Sequence, residues 1–177
     1  MGREVRKVPA NWEHPKKLDS YGRERLQPMF DMTFADAAAE WKENFMKWEG
    51  GDRPSHFTGE DESLEYWEWE NNPPDRAYYR PWTDEDAIWF QVWETVSEGT
   101  PVSPPFETEE ELIAYLAANG DFWDQKRCKE PGWEGLWGGT PGVSGWGRER
   151  AERFVKAAWA PSMILTNGKL VDGKFAV

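Results

Sequence analysis

A single cysteine, two histidines and no long apolar run set the first limits on this chain of 177 residues. Cys128 by itself excludes an internal disulfide and any cysteine-based metal cluster. His14 stands between Glu13 and Pro15, and His56 lies in PSHFTG. Neither has a histidine or cysteine at metal-ligand spacing, and neither adjoins a nucleophile motif. Cys128, without a paired base, reads as an incidental thiol. No stretch approaches the ~20 apolar residues of a membrane span, and the opening MGREVRKV has no apolar core of a signal peptide. These absences predict a protein of a reducing cytoplasm with no cofactor, no metal and no catalytic residue. Close carboxylate pairs such as Glu68/Glu70 are no counter-argument, because thirty-three acids produce them by chance.

Apolar residues make up only 38% of the chain, yet thirteen are tryptophan and nine phenylalanine. Each buried aromatic removes roughly 150–250 Å² from water, so a few large rings can supply a core that aliphatics cannot. A length of 177 residues fits one domain, residues 1–177, divided by composition into an arm (1–32), an acidic helical part (33–120) and a C-terminal part (121–177). The net charge of −12 is unevenly placed: residues 26–120 hold five Lys or Arg against twenty-two acids, while both flanks are mildly basic. Such a field repels nucleic acid and favours basic partners.

Along the chain, REVRKV at 3–8 predicts a strand, Pro9 and Pro15 impose an extended path through ANWEHP, and residues 16–32 read as an irregular arm, with Trp12 and Phe30 as anchors. Thr33 predicts the cap of a helix over 33–48, with Phe34, Ala37, Ala38, Trp41, Phe45 and Trp48 on one stripe. SLEYWEWE at 63–70 fits a short helix using Leu64 and Trp67 or a strand in which Trp67 and Trp69 alternate with Glu68 and Glu70, and the helix is the favoured reading. Thr83, followed by Asp84, Glu85 and Asp86, predicts a helix over 83–98 that buries Ile88, Trp89, Val92, Trp93 and Val96. Thr108 and Glu111 form a capping box for a helix ending at Asn119-Gly120. A last helix is predicted over 148–159, and Asn167-Gly168 between two apolar runs predicts a β-hairpin. The fold class that follows is α+β: about four helices around an aromatic core, an extended N-terminal arm, and a C-terminal hairpin that the first strand joins.

Residues 131–153, PGWEGLWGGTPGVSGWGRERAER, set Trp133, Trp137 and Trp146 among seven glycines and run into the last helix at Arg148 and Arg150. Flat rings, closely approachable backbone N–H groups and a helix N-terminus together suit a nucleotide-like anion. The pattern is neither GxGxxG after a strand nor GxxxxGK[ST]. Glu149 with Arg153 and Glu152 with Lys156 have the favourable i, i+4 order, which leaves Arg148 and Arg150 as the uncommitted cations. The alternative is that this stretch plugs the core and that the two arginines contact the acidic block.

Four blocks, GREVRKVPANWEHP, TFADAAAEWKENFMKWEGG, EGTPVSPPFETEEELIAYL and AERFVKAAWAPSMILTNGKL, occur here in order. Together they resemble a widespread family of small uncharacterised proteins of tailed phages and prophages. Residues 52–81 and 129–146 match it poorly. The resemblance implies a phage protein made in the host bacterial cytoplasm and transfers no catalytic residue. Three functions are carried forward. The first is a non-enzymatic accessory protein, directed against host defence, that binds a nucleotide-like signal through Trp133, Trp137, Trp146, Arg148 and Arg150. The second is an acidic mimic of nucleic acid that occupies a basic host protein, and the third is a minor virion component. A homo-oligomer would help so small a chain enclose a ligand.

Overall fold

A computed structural model describes residues 2–54, 57, 64–69, 72–95, 98–129, 142–166 and 168–175. In chain order the elements are strands β1 (Gly2–Val8), β2 (Lys16–Leu18), β3 (Glu24–Leu26) and β4 (Phe30–Thr33), then helices α1 (Phe34–Glu49) and α2 (Tyr66–Trp69). Strands β5 (Tyr79–Arg80), β6 (Trp89–Thr95) and β7 (Thr100–Pro101) follow, then helices α3 (Glu109–Asn119), α4 (Phe122–Arg127) and α5 (Arg148–Ala157). Strands β8 (Trp159–Ala160), β9 (Met163–Thr166) and β10 (Lys169–Asp172) and a 3-10 turn at Gly173–Phe175 complete the described chain. The class is α+β with an aromatic core, and the chain forms two compact units, Met1–Pro28 with Trp82–Val177, and Met29–Pro81.

The larger unit is built on an antiparallel sheet of order β7-β6-β1-β8. Opposite residues in β1 and β6 share a face, and the register pairs Glu4 with Trp93, Val5 with Val92 and Arg6 with Gln91. One face therefore carries Val5, Phe90 and Val92, against which α3 and α5 pack Leu112, Ile113, Leu116, Ala151, Phe154 and Val155. The opposite face carries Val8, Gln91 and Trp93, all buried, under the N-terminal arm. Trp12 of the arm meets Trp82 edge-on at 4.4 Å, and His14 meets Trp93 at 4.9 Å. His14 Nε2 lies 2.6 Å from the Gln27 carbonyl while its Nδ1 accepts from Trp12 Nε1 at 3.4 Å, so a neutral ring protonated on Nε2 satisfies both contacts. Burial lowers the pKa of His14 from its ordinary value, and the neutral form is the stable one.

In the smaller unit, Thr33 caps α1 by accepting the Asp36 N–H at 3.1 Å. The predicted stripe gathers an aromatic cluster. Trp41 stacks on Phe45 at 5.4 Å, and Trp48 stacks on Trp69 at 5.0 Å while donating to the Leu64 carbonyl at 3.1 Å. Strands β4 and β5 pair in parallel, Phe30 against Tyr79.

Three expectations are corrected. The helix over 83–98 is absent, since residues 89–95 form β6, a central strand with neighbours on both edges. Its capping signals are spent on a turn, in which the Asp86 carboxylate accepts the Thr83 N–H at 3.2 Å and hydroxyl at 2.8 Å. The arm is not irregular throughout, because β2 and β3 form a hairpin. The C-terminal hairpin β9–β10 does form, but β1 pairs with β6 and β8 rather than with it. The two-residue connection agrees with the Asn-Gly signal, with Gly168 at φ 72°, while Asn167 lies outside the described residues.

Candidate functional site

The described end of the Gly/Trp stretch closes helix α3. A helix leaves its last four carbonyls without partners. Here the Trp146 N–H donates to the Leu116 carbonyl at 3.1 Å and the Gly147 N–H to that of Ala117 at 3.1 Å. Gly145 passes so close that a Cβ there would stand 2.5 Å from the Ala117 oxygen and 2.7 Å from that of Ala118. Gly120, at φ 68°, is equally constrained, with a Cβ falling 2.1 Å from the Ser144 oxygen. These glycines let backbone meet backbone.

Trp146 is 3% exposed, packs edge-on against Phe154 at 5.2 Å and donates its indole N–H to Asp124 Oδ2 at 2.6 Å. Trp133 and Trp137 lie outside the described residues. Arg148 is exposed and clamped: its two terminal nitrogens reach the two Glu110 oxygens at 2.6 and 2.7 Å, and Nε donates to Glu152 at 2.6 Å. These carboxylates hold its pKa above the ordinary guanidinium range. Glu152 is thus bonded to Arg148, where the helical spacing predicts Lys156. Arg150 is exposed on the same first turn. The structure therefore brings Trp146 and Arg148 into the fabric of the fold.

Asp124 leads into a buried charge network that sequence reading misses. Asp121 caps α4, accepting the Asp124 N–H at 2.9 Å, within an Asp-x-x-Asp capping box that follows Gly120 directly. Arg3 of β1 donates to Asp121 at 2.6 Å, and Lys174 donates to both Asp124 oxygens at 2.7 and 2.8 Å. Burial pushes the Asp121 carboxyl up, but Lys174 and Arg3 outweigh it and leave its pKa lowered. Asp124 is raised, by burial first and by the Asp121 charge second. Two carboxylates driven apart in pKa are the arrangement expected of an acid–base pair. Here Asp121, Lys174 and Arg3 are 0, 2 and 3% exposed, and their bonds tie β1, α4 and the C-terminal turn together. Among the described residues no group of three His, Cys, Asp or Glu side chains could hold a metal ion.

Exposed carboxylates gather at one end of β6. The antiparallel bridge between Phe90 and Phe106, with both N–H···O contacts at 2.8 Å, sends residues 84–86 and 107–111 off the same end of that strand. Asp84, Glu85, Asp86, Glu107, Glu109, Glu110 and Glu111 are all exposed there. Beside Glu107 and Glu111 lies a groove of about 390 Å³, lined by these two and by Trp89, Pro105, Phe106 and Ala114. In the smaller unit a second groove, of about 280 Å³, borders Trp48, Tyr66 and Trp69, but the Arg53 guanidinium already covers the Trp48 ring at 3.9 Å. No family model, curated protein or solved structure matches the chain.

Proposed function

We propose that this chain is a non-enzymatic binding protein whose acidic surface engages a basic protein partner. The observation that carries the reading is the exposed run of carboxylates at the end of β6, within a stretch of the chain where acids outnumber cations by twenty-two to five. Like-signed charge held on a folded surface steers oppositely charged partners and repels polyanions. Of the five residues suited to a nucleotide-like ligand, Trp146 and Arg148 already have partners inside the fold, which favours the acidic surface over that site.

With the resemblance to tailed-phage proteins, the partner belongs to an infected bacterium, and it is a host protein with a basic groove whose nucleic acid the acidic surface would imitate. Protamine, an arginine-rich DNA-binding protein, is a suitable probe. Binding followed by isothermal titration in the presence of duplex DNA tests the reading. DNA displacing the protein from protamine is the expected result, and a ternary complex that forms without competition contradicts it.

A further inference from the structure

We infer that the groove between Trp89 and Phe106 is a subsite for an arginine side chain of the basic partner; this rests on the acidic-surface reading and gives it a location. Two features set this groove apart from the rest of the acidic surface. Its floor and walls are apolar and aromatic, formed by Trp89, Phe106, Pro105 and Ala114, whereas its rim carries Glu107 and Glu111. A guanidinium is weakly hydrated, stacks on aromatic faces and accepts carboxylates along its edges, so it uses both features at once. An ammonium is strongly hydrated and gains less from the walls.

The site is also held in place before any partner arrives. Trp89 pairs with Val8 at the last register position of β1 and β6. Phe106 is fixed by its bridge to Phe90 and by a ring contact with Tyr115 at 5.0 Å. Glu111 is the reach-back residue of the α3 capping box, one of its oxygens accepting the Thr108 N–H at 3.2 Å. A preformed site of this kind spends little ordering free energy on binding.

The test uses fluorescein-labelled nona-arginine and nona-lysine peptides, with anisotropy measured at about 50 mM salt, where screening is weak. Nona-arginine is expected to bind about fivefold more tightly than nona-lysine, the scale of one cation–π contact. Trp89→Leu and the pair Glu107→Gln/Glu111→Gln should each weaken nona-arginine by about fivefold and erase the preference. Glu40→Gln, an exposed acid on α1, should change affinity less than about twofold. Ala114→Lys, at an exposed helical position, fills the groove without touching the core and should have the same effect as Trp89→Leu. An Arg-to-Lys preference that survives both Trp89→Leu and Ala114→Lys overturns the subsite and leaves the acidic-surface reading standing. No binding of either peptide at low salt removes both.

Discussion

Trp146 and Asp124 meet through a 2.6 Å bond from indole N–H to carboxylate, and the same carboxylate accepts the buried Lys174 ammonium. A ring that looks like a ligand platform in the sequence is here a core element that also settles a buried charge. Trp146→Ala should therefore cost about 3–5 kcal/mol of stability, the range for truncating a buried aromatic. Trp146→Phe keeps most of the packing but removes a donor to a buried carboxylate, at about 1–3 kcal/mol. Urea unfolding measures both. A Trp146→Ala protein as stable as wild type would place the ring outside the core.

Removing one member of a buried ion pair leaves the other uncompensated. Lys174→Met should destabilise by about 3–5 kcal/mol. Adding Asp124→Asn to that variant should restore part of the loss, since the raised Asp124 is the carboxylate most readily held neutral. A double-mutant cycle read by chemical denaturation shows the coupling. Strict additivity of the two changes would mean that the contact carries no net energy.

The pH dependence has a definite sign at His14. Its pKa in the folded chain lies below the ordinary 6.5, so folding favours the neutral ring. That contribution is fully present above pH 6.5 and is lost as pH falls from 6.5 through the lowered folded value. Protonation would set a second N–H against Trp12 Nε1. The denaturation midpoint should fall between pH 7.5 and 5.5, and His14→Gln should flatten that slope. An equal slope in the variant would assign it to other groups.

Helix α5 ends at Ala158, which holds φ 58°, ψ −3° so that the chain can turn into β8 and its carbonyl can accept the Val5 N–H at 2.8 Å. A non-glycine residue pays for that left-handed conformation with about 1 kcal/mol. Ala158→Gly should raise the melting temperature by a few degrees, less the entropy that a glycine adds to the unfolded chain. A lower melting temperature would show that the methyl group packs.

How far these features could be read in advance differs with their physics. Local signals hold: Thr33 at α1, the Thr108/Glu111 box at α3 and the Asn-Gly connection all act within a few residues. The error at 83–98 came from a strand covered on both faces, which loses its alternation: Trp89, Phe90, Val92 and Trp93 put apolar rings and branches on both sides, broken only by Gln91. Phe90, which the helical stripe leaves over, fits the sheet, where it shares the helix-packed face with Val92. The Asp121/Asp124 box was legible at capping spacing after Asn119-Gly120. Its partners were not, because Arg3 and Lys174 stand 118 and 50 residues away from the carboxylates they bond. Arg148 is an intermediate case: its partner Glu110 lies 38 residues away in the acidic block that the alternative reading assigned it, but nothing local singled out that glutamate.

The affinity for protamine across rising salt is the decisive quantity. An acidic surface meeting a basic one should bind tightly at about 50 mM salt and lose the interaction steeply towards about 0.5 M, as the screening length shrinks to a few ångströms. Binding at low salt that falls steeply in this way is the predicted result. Affinity that stays constant across that range, or no binding at low salt, would contradict it.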